Sequence, residues 1–355
     1  SPSANVNILL IGASRQAGGE TLGEMMRRLT GTGGTPAGLG LSNIRTVGQR
    51  HGDGEYSSIY HEARSGRQIH EVVVAGTYSY DIQLTGDDNT YGIEDTYSFT
   101  SSGGSWTLKI TGSEPQDNVI HCSKVRGTGT FSEVFGNVSE SNPGTLTKVS
   151  GYGSSTMSFI SIDELNTNPF WNNGGIDFEY YASNCITPLT LPEKIDILII
   201  SRMVNDFGDR RTPQQVVNDY KTIVDAFHAY NADGKVIINT DPLPSPDGGL
   251  GLGSITYSHP RSTFYCFAKL FWGVYDLSND LFSGEDYSDF VIVSSTNAEF
   301  DGWNLYPTST IPTGLRGDKT EVVQNNGVHY TTVGKFAVAD TLYHDVCKII
   351  NDIND

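Results

Sequence analysis

The sequence predicts an α/β fold built on a parallel sheet, with an all-β module inserted into it. Three observations carry that prediction: short unbroken apolar runs, amphipathic helical stretches between them, and a Gly/Ser/Thr-rich tract of alternating texture.

The first apolar run is Val6 to Ile11, with Ile8-Leu9-Leu10-Ile11 at its centre. A run that short, without alternation, reads as a strand buried on both faces, as in a parallel sheet. The same texture returns in Ile195-Asp196-Ile197-Leu198-Ile199-Ile200, in Val236-Ile237-Ile238 and in Phe290-Val291-Ile292-Val293. Helical patterns separate them. Glu20 to Leu29 follows Gly18-Gly19. A second begins at Thr212, with Pro213 at the first helical position and Gln215 completing a capping box. Its apolar residues Val216, Val217, Tyr220, Ile223, Val224 and Phe227 recur at the spacing of one helix face. Thr332 to Ile350 repeats the pattern with Phe336, Ala339, Leu342, Tyr343, Val346 and Ile350. Strand, helix, strand in succession implies right-handed crossovers and a layered α/β domain.

The second texture fills residues 67–157. Val72-Val73-Val74, Tyr78-Ser79-Tyr80-Asp81-Ile82, Tyr97-Ser98-Phe99 and Trp106-Thr107-Leu108-Lys109-Ile110 alternate with turn signals such as Gly86-Asp87-Asp88-Asn89. Short strands so punctuated predict an antiparallel sandwich or barrel, sandwich- or jelly-roll-like in type. The expected organisation is a host of residues 1–66 and 158–355 interrupted by a β module of residues 67–157.

The chain has 355 residues, enough for one large or two ordinary domains, and no apolar run approaches the roughly 20 residues of a membrane span. A net charge of -18 without a basic stripe argues against a nucleic-acid partner, because binding phosphates depends on Lys and Arg displacing counterions. No membrane partner is expected, and the composition is compatible with a homo-oligomer. Cys122, Cys185, Cys266 and Cys347 are too scattered for a disulfide scaffold, and none forms a C-x-x-C pair. No metal and no cofactor is expected. No basic-then-apolar leader opens the chain, so a signal peptide is expected to be absent or already removed. The start at Ser1-Pro2-Ser3 reads as an excised or processed piece.

Three polar segments follow apolar runs or precede a helix: Gly12-Ala13-Ser14, Asn205-Asp206 and Gly327-Val328-His329. Open α/β sheets carry their functional groups at the carboxyl ends of strands. A hydroxyl, an amide and an imidazole are the parts an acyl-transfer site needs. Each has a plainer reading. Ser14 caps the helix that follows, and Asn205 is a turn residue bonding its own backbone. His61 and His70 read as surface or loop residues, since no second ligand stands at metal spacing. Asp87-Asp88-Asn89 reads as a turn rather than a calcium loop. Trp106, Tyr78, Tyr80, Tyr91 and Tyr97 read as the core of the β module, with a sugar-stacking platform as the alternative.

Taken together, the motifs resemble the SGNH/GDSL hydrolase family, whose blocks carry Ser, Gly, Asn and His in that order. Gly12-Ala13-Ser14 is similar to block I, and Glu62-Ala63-Arg64-Ser65-Gly66 to block II. Asn205-Asp206, within Ser201-Arg202-Met203-Val204-Asn205-Asp206-Phe207, is similar to block III, and Asn326-Gly327-Val328-His329 to block V. Asn168-Pro169-Phe170-Trp171-Asn172, with Asp177-Phe178 and Tyr180, resembles a subgroup that includes phage-encoded and gut-bacterial esterases. The resemblance covers about three quarters of the chain and omits the β module. It implies a three-layer α/β/α sheet domain, with Ser14 as nucleophile and His329 as general base. The Ser14 and Gly66 backbone N–H groups and the Asn205 amide would form the oxyanion hole. Apart from the resemblance, Phe170 and Trp171 lie in a loop expected to approach the active site and are candidates to wall the acyl or sugar pocket, and Trp106 is the substrate-contact candidate of the sugar-platform alternative.

The chain departs from the family pattern at three positions. Ala13 replaces the acidic residue of block I. Met203 replaces a glycine, so the block III loop is expected to crowd the site or take another path. Asn326 stands where the family has the Asp that orients the histidine. In a serine-protease triad that exchange lowers turnover about 10⁴-fold by favouring the wrong imidazole tautomer. The resemblance implies a serine esterase that removes acyl groups, chiefly O-acetyl, from a polysaccharide, and an extracellular location, whether secreted, cell-surface or virion-associated. The alternative is a catalytically weak or inactive glycan-binding module on the same fold, such as a phage-tail or adhesion protein.

Overall fold

The computed structural model describes residues 5–64, 68–74, 78–85, 90–114, 118–128, 131–166, 168–186, 193–201, 203, 206–207, 211–240, 242, 260–294, 296, 305–313, 319–324, 329 and 331–354. They form two compact units, Ser1–Val74 with Phe170–Asp355, and Ala75–Pro169.

The first unit is an α/β domain around a seven-stranded sheet. Its strands are β1 (Val6–Gly12), β2 (Ile44–Val47), β3 (Arg50–His51) and β4 (Tyr60–Ala63). The barrel strands β5 to β10 intervene in sequence. The sheet is completed by β13 (Ile197–Ser201), β14 (Lys235–Ile238) and β15 (Val291–Val293), after the two-residue strands β11 (Trp171–Asn172) and β12 (Gly175–Ile176). The order is β15-β14-β13-β1-β4-β3, with β2 also paired to β1. The pairs β1–β13, β13–β14 and β14–β15 are parallel, as the unbroken apolar runs require. One edge of β1 serves two partners in turn: Val6 to Leu9 pairs with β2, and Ile11 and Gly12 with β4. A hairpin of β16 (Thr308–Thr313) and β17 (Lys319–Gln324) lies outside the sheet, beyond the strands that the apolar runs predict.

The strands are accompanied by a short 3-10 turn at Gly54–Tyr56 and by the α-helices α1 (Ser14–Ala17), α2 (Glu20–Thr30), α3 (His70–Val73), α4 (Phe131–Phe135), α5 (Phe178–Asn184), α6 (Pro213–Tyr230), α7 (Pro260–Phe282) and α8 (Thr332–Asn354). Alternation along each strand splits the core into two faces. Leu9, Ile11, Leu198, Ile200, Val236 and Ile238 cluster with residues of α5, α6 and α7. Ile8, Leu10, Ile197, Ile199 and Ile237 cluster with α2 and α8. The domain is therefore three-layered, and each of these buried side chains stabilises it by about 1.5–3 kcal/mol relative to exposure. Among the described residues no helix is long and apolar enough to cross a membrane.

In the second unit β5 (Tyr78–Leu84), β6 (Thr96–Ser101), β7 (Gly104–Glu114), β8 (Val119–Gly127), β9 (Gly144–Ser150) and β10 (Thr156–Asn166) close in the order β10-β5-β8-β7-β6-β9. All pairings are antiparallel. The observed form is one closed barrel rather than two stacked sheets, and closure leaves no open sheet edge. The unit also ends later than residue 157. That expected boundary cuts β10, whose pairing with β5 runs on to Asn166. At the other end α3 packs in the α/β unit through Ile69 and Val72, so the division falls after Val74 rather than at residue 66.

Candidate active site

The carboxyl ends of three neighbouring strands meet in register. Gly12 ends β1 level with Ser201 of β13 and Ala63 of β4. The spot is crowded: a Cβ on Gly12 would stand 2.8 Å from Leu10 Cδ2 and 3.0 Å from Gln16 Cβ. From there the chain turns at once into α1. Ala13, extended and buried, is the N-cap, and Ser14 is the first helical residue. The turn is tied twice. Gln16 donates its N–H to the Ala13 carbonyl at 3.0 Å, and Gln16 Oε1 accepts the Ala13 N–H at 3.4 Å. The caps of α1 and α2 are Ala13 and Gly19, so the capping role considered for Ser14 falls to other residues.

The segment leaving β4 is laced to the same point, because Arg64 donates its N–H to the Gly12 carbonyl at 3.0 Å. Beneath it lies a buried polar cluster. Glu62, 1% exposed, accepts from Tyr181 Oη at 2.8 Å and from the Gln49 N–H at 2.8 Å, and pairs with Arg64 Nη2 at 3.1 Å. A carboxylate so deep is tolerable only because its lone pairs are satisfied. His61, expected at the surface, is instead buried on β4, where its Nδ1 accepts the Ala63 N–H at 3.1 Å. Burial pushes its pKa down to about 4. His70 is exposed at the start of α3, 3.4 Å from Asp219.

Beyond β13, Met203 is fully buried in the core face that holds Phe170 and Phe207, so its side chain is spent on packing. Asp206, also fully buried, reaches back to the segment that follows β4. It accepts the Ile69 N–H at 2.8 Å and the His70 N–H at 3.4 Å, and lies 3.3 Å from Arg211 Nη1. Further along the same edge, Asn239 Nδ2 donates to Ser201 Oγ at 2.9 Å and Thr296 Oγ1 donates to Asn239 Oδ1 at 2.6 Å. This buried ladder joins the ends of β13 and β14 to the chain beyond β15.

His329 stands just before α8. Thr331 caps that helix, its Oγ1 accepting the Gly334 N–H at 3.2 Å, and its own N–H donates to the Leu305 carbonyl at 2.8 Å. The helix then lies along α2, with Val338, Ala339, Leu342 and Val346 in one cluster with Leu22, Met25 and Leu29. Lys335 pairs with Glu20, and Asp340 with Arg28. His329 keeps an exposed residue surface, yet enough protein surrounds the ring that desolvation lowers its pKa below the ordinary histidine value. The cations Arg15 and Lys335 push it the same way. Arg15 is the neighbour of Ser14 in the chain, and it is buried, with Nη1 donating to the Pro242 carbonyl at 3.1 Å. The imidazole thus lies within electrostatic range of the Arg15 guanidinium, and these surroundings favour its neutral form, the one that accepts a proton.

Gly66, Asn205 and Asn326 lie outside the described residues, as does the Asp87-Asp88-Asn89 turn. The three aromatic candidates separate. Phe170 is 2% exposed, packed against Tyr181 at 4.2 Å and Phe178 at 5.2 Å between ring centroids, so it supports the core and walls nothing. Trp106 is likewise 2% exposed, wedged edge-on against Tyr80 and Phe135 with Lys124 Nζ over its ring, and has no face left for a sugar. The barrel interior has claimed it. Trp171 is half-exposed on β11, part of a hairpin with β12 whose turn places Asn173 at φ 49 and Gly174 at φ 90. That Asn-Gly pair is the chemistry a tight two-residue turn demands. Among the described residues no group of three or more His, Cys, Asp or Glu is placed to hold a metal.

No family model and no curated protein matches the chain. Among solved structures it is similar to a carbohydrate esterase family 3 protein from Talaromyces cellulolyticus, at 11% identity and a TM-score of 0.42, with 98% of this chain and 99% of that one covered. It is also similar to an acetyl esterase variant with an acetate ion, at 10% identity and TM-score 0.40, covering 98% and 99%. A peptidoglycan O-acetylesterase is similar at 11% identity and TM-score 0.36, covering 98% and 92%. Likeness at this level bears on no residue of the site.

Proposed function

We propose that the chain is a serine carboxylic-ester hydrolase that removes acyl groups, acetyl first among them, from a polysaccharide. The observation that supports this reading most is that the helices following Ser14 and His329 are paired through Glu20 and Lys335, with the Arg15 guanidinium near enough to His329 to act on its charge. In this reading His329 takes the Ser14 proton as the hydroxyl oxygen bonds to the ester carbonyl carbon. The resulting oxyanion is met by the Ser14 and Gly66 N–H groups and the Asn205 amide. Collapse breaks the bond to the sugar oxygen, which leaves with the proton from His329 as a free alcohol. Water, deprotonated by the same imidazole, then cleaves the acyl-serine and releases the carboxylic acid. Asn326 would accept from the imidazole N–H through its carbonyl oxygen and hold the productive tautomer. Acetyl suits a shallow site on a polymer, whereas a long acyl chain needs a deep apolar tunnel. The barrel unit is assigned to the glycan partner and the protein to the cell exterior or a virion surface.

The test is hydrolysis of p-nitrophenyl acetate by the wild type, Ser14→Ala and His329→Ala. Loss of activity in both variants is expected, and equal rates in all three proteins overturn the enzymatic reading. The Asn326 position favours a second reading, a glycan-binding module with weak or no activity. Polysaccharide binding retained by all three proteins, with no hydrolysis by any, would select it.

A further inference from the structure

We propose that Asp206 is a positioning residue that sets the oxyanion donors in place by fastening the segment after β4 to the segment after β13; the proposal rests on the esterase reading above. Its carboxylate has no exposed surface, and it faces the amides of Ile69 and His70 rather than solvent. One oxygen takes the Ile69 N–H at 2.8 Å. The other takes the His70 N–H at 3.4 Å and lies 3.3 Å from Arg211 Nη1. Arg211 is itself held, 2.6 Å from Asp219 Oδ2, and donates its backbone N–H to the Asp206 carbonyl at 3.1 Å. The clamp therefore has a cation behind it and two backbone amides in front.

The sequence places this clamp where a catalytic consequence follows. Asn205 is joined to Asp206 by one peptide bond, and Gly66 stands three residues before Ile69. The short stretch containing Gly66 is anchored at its start by the Arg64 N–H on Gly12 and at its finish by Asp206. In the esterase reading, two of the three oxyanion donors therefore stand in the sequence beside the two segments that this carboxylate joins. The Ile69 bond at 2.8 Å has the length of a charge-assisted bond, and a donor displaced by a fraction of an ångström stabilises the oxyanion less. The apolar anchors Ile69 and Val72 already bury this segment, and the carboxylate adds direction to it.

The experiment is Asp206→Asn in the full chain. Three quantities are read: kcat and KM for p-nitrophenyl acetate, hydrogen exchange of the amides in residues 68–72, and the cooperativity of thermal unfolding. The asparagine keeps one acceptor oxygen and loses both the second and the charge. The expected result is a kcat lowered about 10-fold or more, a smaller loss than the roughly 10²–10³-fold seen on removing an oxyanion donor outright, with KM within about two-fold, faster exchange at Ile69 and His70, and cooperative unfolding retained. Should that variant fail to fold, Arg211→Gln loosens the clamp from behind and carries the same expectations. Faster exchange with kcat unchanged overturns the catalytic role, and unchanged exchange overturns the clamp itself. A wild-type rate that survives Ser14→Ala overturns the esterase reading and the catalytic role with it; the exchange result reports on the clamp independently, so the two failures are told apart.

Discussion

Lys335 on α8 is paired with Glu20 in the first turn of α2. The pair ties the helix that follows His329 to the helix that follows Ser14, so one contact spans almost the whole sequence. The ammonium also lies close enough to His329 to lower the pKa of the imidazole.

Removing that charge makes a specific prediction. In Lys335→Met a cation is lost and Glu20 is freed to act on the ring, and both changes raise the pKa of His329. Because a general base works in its neutral form, the acid limb of the kcat/KM profile for p-nitrophenyl acetate moves to higher pH. A pH titration of the two proteins checks it; the limb moving to lower pH, or staying put, is the contrary result. The wild type should keep its activity below the ordinary histidine range, since its folded value is already depressed.

The neighbouring aromatics Phe170 and Trp171 should behave oppositely. Phe170 is packed among Phe178 and Tyr181, so Phe170→Ala leaves a cavity and should cost about 3–5 kcal/mol of stability by urea unfolding. Trp171→Ala removes a half-exposed ring and should cost under about 1 kcal/mol. If Trp171 walls the acyl or sugar pocket, its loss raises KM for an acetylated oligosaccharide while leaving that for p-nitrophenyl acetate nearly unchanged. Equal effects on both substrates would remove it from the sugar-binding surface.

The legible parts of this chain were those fixed by local chemistry. Unbroken runs gave β1, β13, β14 and β15, and the Thr212–Gln215 capping box forms as read, with Gln215 Oε1 accepting the Thr212 N–H at 2.9 Å. The tertiary choices were hidden. The aromatics of the barrel alternate along its strands whether they face inward or outward, and only closure decides that Trp106 goes in. His61 looked like a loop residue because β4 is four residues long and mostly polar, Tyr-His-Glu-Ala, yet it is a central strand buried through its polar network. The long helix α7 lies beyond the three helical stretches that the periodicity predicts, with Phe271, Val274 and Phe282 as its buried face. Ser201, Asn239 and Ser294 each follow an apolar run directly, and that placement is the available signal for the polar edge of the sheet; Asp206 stands five residues beyond Ser201 and carries no such mark.

Asn326 is the position where the chain departs furthest from its family resemblance. Asn326→Asp should strengthen the orientation of the imidazole and raise kcat, by about 10-fold or more if the tautomer limits turnover as it does in a serine-protease triad. Single-turnover and steady-state rates of p-nitrophenyl acetate hydrolysis measure it. No change would mean that another acceptor already orients His329, and the pair Ser14 and His329 then acts as a dyad.

His61 gives the protein an acid-sensitive core. Its folded pKa of about 4 lies below the ordinary histidine value of 6.5, so between those two values the unfolded chain binds the proton and the folded one does not. Stability is therefore complete above pH 6.5 and falls as the pH drops toward 4, by up to about 3 kcal/mol from this one group. His61→Asn keeps an acceptor for the Ala63 N–H and removes the titration. Urea unfolding at pH 7 and pH 4.5 should show the wild type losing about 2–3 kcal/mol more than the variant over that interval. Equal losses would mean that the imidazole is already protonated in the folded state, and that β4 tolerates a charge beside Glu62 at the carboxyl edge of the sheet.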